Sequence, residues 1–515
     1  MNVLKTEPEV RIKPFSDVYI GTGNGKLKIA IKRGLDALGG IEKIVLPGQS
    51  VLFKPNLVNG VDPITGGNSD PRFCEAILEL INEYCKPGAI YVGENTESGN
   101  VTMEAFTRYG YVEMCKRQGA TLVDFTNTER VDVPVPGAMY AEVISLPKLL
   151  MDVDVFISQP MMKNHDTVCI TAAIKNSFGL VTDDSRRQAH RDNAVEQYLV
   201  DIARARKPDF SIVDGRIGME GIAGGSHFEH SRFANRIVMG RDPVAVDVVC
   251  AHIMDQNPRV RYLQWADEYS LGNNNLDYIN IHGMPLDEAV APFMSPAGQL
   301  EEQTEGKFRL HDLGSCSRCR AVAQGTLHRF RNPESLLKRV DIVYGPGHWD
   351  VPAEERFDEC LLVGDCIREE YRSAGAWIPG CPMARDDYFA ALNAMDIVCS
   401  RCEQTVLSFI ERHTPEELAF VRILASNKTV FKGDANQAGV TDFLMTVGDC
   451  QKRYSVFHIM RGRDELVQLG LSGEVESDFF VVHIPGHNPD IDKLEAALAE
   501  LKARDAKWKA MRSPL

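Results

Sequence analysis

From about residue 15 to 285, short runs rich in Val and Ile alternate with longer stretches whose apolar residues recur at helical spacing. This is the pattern of α/β units wound around one sheet. Val51-Leu-Phe-Lys-Pro-Asn, Ala89-Ile-Tyr-Val-Gly-Glu, Val153-Asp-Val-Phe-Ile-Ser and Phe210-Ser-Ile-Val-Asp-Gly predict strands. Pro71 to Tyr84, Val195 to Arg206 and Pro243 to Met254 predict helices, the first after an Asn-Ser-Asp cap signal and the last opening on Asp242-Pro243. The expected fold is α/β, a largely parallel sheet with helices on both faces, over residues 15–290. Beyond it, Met284 to Lys307 is rich in Pro, Gly, Glu and Gln without periodicity and reads as a linker. A cysteine-rich module is expected over 308–405 and a small α/β domain over 406–515. In the latter, Phe479 to Ile484 reads as a strand and a helix starts near Asn488 and runs to about Lys507.

The polar residues of the first region concentrate where strands end. Lys54 and Asn56 close one predicted strand, Lys163, Asn164 and His165 follow another, and Asp214, Gly218, Glu220 and Gly221 follow a third. In open α/β sheets ligands bind in the crevice beyond the carboxyl ends of the strands, so these side chains are expected to converge. Lys175 and Asn176 sit in the small, apolar stretch Thr171-Ala-Ala-Ile-Lys-Asn-Ser-Phe-Gly, where burial demands a partner. Lysines aimed at one crevice favour an anionic ligand through charge-assisted hydrogen bonds. Lys163, His165, Lys175, Asp214 and Glu220 are the candidates for proton transfer, and Lys54, Asn56, Asn176 and Arg241 those for holding the substrate. Taken singly, each is more often a solvated loop residue or a cap; the coincidence across three strand ends is what carries the expectation.

The ordered set Phe53-Lys-Pro-Asn, Lys163-Asn-His, Thr171-Ala-Ala-Ile-Lys-Asn-Ser-Phe-Gly, Ile212-Val-Asp-Gly with Met219-Glu-Gly, and Arg241-Asp-Pro-Val-Ala-Val-Asp resembles the domain of unknown function 362 family over about residues 48–255. The resemblance implies an α/β domain with a polar pocket, in a family of anaerobic bacteria and archaea whose members often carry iron–sulfur segments, and it implies no settled reaction. Ser226-His-Phe-Glu-His230 departs from the family pattern. A His-x-x-His pair ligates metal on a helix, but Gly224-Gly225 argues for a loop with surface histidines. Gly21-Thr-Gly-Asn-Gly-Lys26 fails as a nucleotide loop, since Ile20 and Leu27 stand where a glycine and a Ser or Thr belong; it reads as a turn feeding a helix.

Composition narrows the setting. The 515 residues are 44% hydrophobic and 25% charged, material for several cores and about three domains by length. A net charge of -15 argues against nucleic-acid binding, which needs a basic face. No apolar run approaches a membrane span and Met1 to Lys13 is charged, so no membrane insertion and a cytoplasmic location are expected. There thiols stay reduced, and paired cysteines read as metal or redox sites.

Seven of the 13 cysteines fall between 316 and 402: Cys316-x-x-Cys319, Cys360, Cys366, Cys381 and Cys399-x-x-Cys402. The two Cys-x-x-Cys pairs lie too far apart for an ordinary zinc ribbon, which leaves zinc as the alternative. Gly364-Asp-Cys366 followed by Ile378-Pro-Gly-Cys-Pro-Met383 resembles the cluster-binding stretch of the small subunits of complex I and related hydrogenases, with Met383 in place of the second proline. With Cys316 and Cys319 this gives four thiolates, the complement of a [4Fe-4S] cluster. Cys360, Cys399 and Cys402 are held in reserve, the last two on a helix expected over Tyr388 to Arg412. The other six cysteines read as core.

The expectation is an iron–sulfur oxidoreductase acting on a small anionic metabolite, with a ferredoxin-like electron partner. Two alternatives stay open: a lyase or isomerase using the cluster as a Lewis acid, and a non-enzymatic electron-transfer or sensor protein.

Overall fold

A computed structural model describes residues 14–58, 62–96, 102–222, 230–256, 260–327, 336–381, 383–397, 401–419, 421–425, 428–432, 443–447, 481–485 and 489–512. The chain divides into two units, one of Met1–Gln299 with Gly314–Ala321, the other of Leu300–Leu313 with Val322–Leu515.

The first unit is built on twelve strands: β1 (Ser16–Gly21), β2 (Ser50–Lys54), β3 (Ala89–Glu94), β4 (Thr121–Asp124), β5 (Arg130–Pro134), β6 (Val143–Pro147), β7 (Val155–Ser158), β8 (Met161–His165), β9 (Cys169–Thr171), β10 (Phe210–Met219), β11 (Ser231–Gly240) and β12 (Ile279–Gly283). Ten of them form one sheet in the order β12-β1-β11-β10-β7-β2-β3-β4, with β8 attached to β10 and β9 to β8, while β5 and β6 pair apart. The run β10-β7-β2-β3-β4 is parallel throughout. Strand β11 is antiparallel to both β1 and β10.

Alternation along the strands explains why both faces are covered. Val51 and Phe53 of β2, and Val155 and Ile157 of β7, pack into one apolar core with Phe73, Ile77 and Ile81 of the helix Pro71–Tyr84. Leu52 and Phe156 point into a second core with Leu199 and Ile202 of Val195–Ala205 and Val246 and Val249 of Pro243–Ile253. A sheet buried on both sides reads as near-continuous apolar runs, which is how these strands looked in the sequence. The cap signals also do what they promised. Asp70 accepts from Arg72 N–H, Asp242 accepts from Val244 and Ala245 N–H, and each precedes a proline at the first helical position.

Lys163, Asn164 and His165 were expected just beyond the end of a strand, and they lie on a short strand of their own, β8. Pro160 carries no N–H to continue the β7 ladder, so the chain breaks after Ser158 and pairs again with β10 further along, Met161 opposite Asp214 and Lys163 opposite Met219. The expected linker is likewise structured. It forms helices Leu286–Ala289 and Pro296–Gln303, with Ala289, Phe293 and Leu300 buried.

The second unit holds a parallel sheet of β13 (Phe308–Asp312), β14 (Val340–Tyr344), β15 (Glu359–Val363) and β16 (Ala376–Ile378), in that order. A further sheet runs β18 (Lys428–Lys432), β17 (Val421–Ala425), β19 (Phe443–Val447), β20 (Val481–Ile484), packed by the helices Arg401–Ile410 and Ile491–Arg512. The single helix expected over Tyr388 to Arg412 is two, Arg385–Ala394 and Arg401–Ile410. Between them Asp396 takes a left-handed backbone (φ 53°) that a helix interior does not accommodate.

Candidate functional site

The parallel register brings the carboxyl ends of three strands level: Lys54 of β2 sits opposite Ser158 of β7, and Phe53 opposite Val92 of β3. A cavity of about 590 Å3 opens at this edge, lined by side chains that include Lys54, Asn56, Lys163, His165, Lys175 and Asn176. Six cationic side chains (Lys54, Lys163, Lys175, Arg186, Arg187 and Arg191) line it against two carboxylates, Glu94 and Asp166. In an acidic chain this is a local reversal of charge.

At the floor, Lys54 Nζ lies 2.7 Å from both oxygens of Glu94 and donates to Asn176 Oδ1 at 3.2 Å. Glu94 also accepts from the amides of Asn95 and Leu57, and Asn176 Nδ2 donates to Ser158 Oγ. Lys54 and Glu94 are each 1% exposed. Burial pulls the Lys54 ammonium below its ordinary range and pushes the Glu94 carboxyl above its own, and the attraction between them opposes both shifts. Gly179 closes over the pair: a Cβ there would come within 2.8 Å of Lys54 Nζ and closer still to Glu94 Oε1.

The wall is formed by the β8–β9 hairpin and the helix Asp183–Arg191. Lys163 Nζ donates to Gly67 O at 3.3 Å, and Lys175 Nζ stands 4.4 Å from the centre of the Phe178 ring, a cation–π distance. His165 Nδ1 accepts from Thr167 N–H at 3.1 Å and lies 3.0 Å from Asp166 Oδ1. Desolvation and then the charge of Lys175 hold this imidazole below its ordinary range; His190, in the same surroundings, is pushed down to about 4. A neutral His165 accepting at Nδ1 carries its proton on Nε2. Two lining oxygens, Asn56 Oδ1 and Thr171 Oγ1, are buried without a hydrogen-bond partner.

Three expected site residues stand elsewhere. Asp214 lies within β10, which runs on to Met219, and forms a bidentate ion pair with Arg216 that also reaches Asp70. These residues border a separate cavity of about 310 Å3 beside Gly23, Asn24 and Gly25. Glu220 accepts from Met294 N–H and so fixes the following segment. Arg241 donates to Lys43 O at the surface. Conversely, Glu94, Asp166 and the basic helix Arg186, Arg187, His190, Arg191 line the cavity although the sequence reading passed over them. The signal was present in 186–191, four basic side chains spaced for one helix face.

The cysteines divide between the units. Cys316, half-buried, and Cys319, buried, belong to the first, at the start of the helix Ser317–Leu327. Cys366 and Cys381, both exposed, belong to the second, on loops leaving the adjacent strands β15 and β16. Those loops are tied: Asp365 N–H donates to Gly380 O, Gly380 N–H to Asp365 Oδ1, and Gly364 N–H to Ile378 O. Gly364 (φ 92°) and Gly380 (φ 125°) adopt backbones open only to glycine at low cost. Among the described residues, no group of three or more His, Cys, Asp or Glu side chains is arranged to hold a metal ion. Cys360, held in reserve as a ligand, packs in the core with Val343, Trp349 and Leu362, where burial pushes its thiol up to about 12. Cys74, Cys85, Cys115 and Cys250 are buried as expected. Cys399, Cys450, the side chain of Cys402 and the His227 side of the His-x-x-His pair lie outside the described residues.

Residues 51–252 match the family described as Domain of unknown function (DUF362). The resemblance read from the lysine and asparagine motifs therefore holds over the segment that builds most of the cavity. A thylakoid-associated protein of Synechocystis sp. is 29% identical over 245 residues, 45% of this chain and 72% of that protein. Among solved structures, the lactate racemase apoprotein from Thermoanaerobacterium thermosaccharolyticum aligns over 75% of this chain and 92% of its own at 10% identity and a TM-score of 0.33. A Thermotoga maritima protein aligns over 70% and 94% at 12% identity and a TM-score of 0.28. Among the described residues no helix is long and apolar enough to cross a membrane.

Proposed function

We propose that the DUF362 segment binds a small anionic metabolite in the strand-end cavity, and that the protein is an oxidoreductase whose redox centre is a [4Fe-4S] cluster held by cysteine thiolates. The observation that carries the binding half is the excess of cations around an open cavity at whose floor a buried ion pair with Glu94 holds Lys54. Lys163, Lys175 and Arg191 line the same cavity and would meet a carboxylate or phosphate, whereas Arg186 and Arg187 are ion-paired with Asp183 and Asp184. Asn56 Oδ1 and Thr171 Oγ1 offer positions that a ligand hydroxyl would satisfy. His165, neutral with its proton on Nε2, donates a hydrogen bond from that atom to the bound anion. A four-thiolate cluster, when bound, supplies one-electron transfer. The tied Cys366 and Cys381 loops support two of the four ligands, and zinc is the alternative metal.

Two measurements test the two halves. Calorimetric titration with a panel of carboxylates and phosphates should show one saturable site that weakens about tenfold or more in Lys175→Met; equal affinities would remove the cavity from the account. Iron and acid-labile sulfide analysis of anaerobically purified protein should give the content of one cluster, lost in Cys366→Ser. Zinc in place of iron would overturn the redox half and leave the binding half standing. The free thiols and the redox role fit a reducing compartment such as the cytoplasm, with a ferredoxin-like protein as electron partner.

A further inference from the structure

The turn that carries Cys316 and Cys319 belongs to the same unit as the cavity, and its anchoring has no part in the reading above. Arg320, 2% exposed, donates through one terminal nitrogen to Thr167 O at 3.1 Å and through the other to Ser315 O at 2.5 Å. Glu196, fully buried at the start of Val195–Ala205, accepts from Ser317 N–H at 2.8 Å and lies 3.7 Å from the Arg320 guanidinium. Thr167, whose carbonyl Arg320 holds, is the residue whose N–H donates to His165 Nδ1. An unbroken chain of contacts therefore runs from the cysteine turn through Arg320 and Thr167 to the imidazole in the cavity.

We propose that Arg320 is a positioning residue for His165: by fixing Thr167 it keeps the Thr167 amide on Nδ1 and the imidazole proton on Nε2, facing the bound anion, so that the cysteine turn is read out in the cavity. This rests on the anion-binding reading of the cavity. His165 Nδ1 has two partners within reach, and they favour opposite states. Thr167 N–H needs a bare Nδ1 and so favours the neutral ring, whereas Asp166 Oδ1 at 3.0 Å favours a protonated one. The other charged or titratable groups acting on the ring are Lys163, Lys175 and His190, and both lysines oppose protonation. Arg320 tips the balance toward Thr167. A guanidinium does this where an ammonium cannot, because its planar fork reaches two carbonyls at once while facing Glu196.

The test uses sulfate, a dianion throughout the range, titrated calorimetrically into the full-length protein from about pH 5 to 8. Wild type should bind sulfate, with an affinity that steps up as pH falls through the depressed titration of His165, and His165→Gln should abolish the step. The charge-balanced double variant Glu196→Gln/Arg320→Gln should keep the step but move it up by about one pH unit, because one hydrogen bond that favours the neutral ring is lost. Arg320→Lys, which keeps the charge opposite Glu196, should shift it in the same direction and serves if the double variant does not fold. If wild type binds no sulfate, the anion site itself fails. A His165-dependent step that stays put in both variants would overturn the role of Arg320 alone.

Discussion

Replacing Glu94 by Gln probes the floor of the cavity most sharply. The change keeps the shape of the side chain but strips Lys54 of its counter-charge in a site where both partners are 1% exposed. Glu94 accepts from Lys54 on both oxygens and from the amides of Asn95 and Leu57; Gln offers one acceptor oxygen and turns an NH2 toward groups that are all donors. Breaking a buried pair by removing one partner costs about 3–5 kcal/mol. One backbone amide can still be satisfied by the Gln carbonyl, which points to the lower part of that range. The pH dependence then has a definite sign. Desolvation already lowers Lys54, and Glu94 is what opposes that shift. Without it the folded-state value falls further below the unfolded one, the unfolded chain binds more protons, and stability rises with pH through that window. The deficit of Glu94→Gln should therefore shrink as pH rises from neutrality toward the ordinary lysine range. Because the chain has two units, a single melting temperature is a poor readout, and native-state hydrogen exchange of peptides covering β2 and β3 reports the right one. A loss below about 1 kcal/mol at pH 7, or a deficit unchanged at the higher pH, would refute the view that Lys54 is held as a buried cation by this carboxylate.

Other outcomes follow from the same geometry. Gly179→Ala places a Cβ against Lys54 Nζ and Glu94 Oε1, which are both fully packed, and should cost about 1–3 kcal/mol and weaken anion binding at least tenfold, measured by hydrogen exchange and calorimetry. Asp247 is fully buried, accepts from Ala173 and Ile174 N–H and from Tyr262 OH, and thereby anchors the turn that bears Lys175; burial pushes it up to about 7. A carboxyl raised in the folded state contributes stability that is complete below about pH 4 and is lost as pH rises toward 7. Wild type should accordingly lose a component of up to a few kcal/mol over that interval that Asp247→Asn does not, and parallel profiles would contradict it. Arg241→Gln, at the surface and bonded only to Lys43 O among the described contacts, should leave anion affinity within about twofold.

What the sequence disclosed of this site follows from local rules. Lys54, Lys163 and Lys175 were legible because strand ends in α/β folds gather ligands, and a polar residue in an apolar run stands out. Asp214 was misplaced for the same reason turned around: Gly215 and Gly218 look like the end of a strand, yet β10 continues through a register shift to Met219, which leaves Asp214 inside the sheet with Arg216. The basic helix Asp183–Arg191 showed its charged face in the sequence but was passed over, because a run of charge usually marks a solvated face and only tertiary packing turns it toward the cavity. Glu94 was read as a strand terminus, and its pairing with Lys54, 40 residues away, depends on a parallel register that no local pattern encodes. Arg320, beside Cys319, was overshadowed by the thiols around it.

The central claim, that an anion occupies the cavity at the ends of β2, β3 and β8, is tested most directly by sulfate calorimetry on four proteins: wild type, Lys163→Met, Lys175→Met, and Arg72→Met in the separate cavity beside Gly23. The account predicts one site in wild type, an affinity at least tenfold weaker in each lysine variant, and no change in Arg72→Met. Equal affinity in the lysine variants, or a loss confined to Arg72→Met, would contradict it.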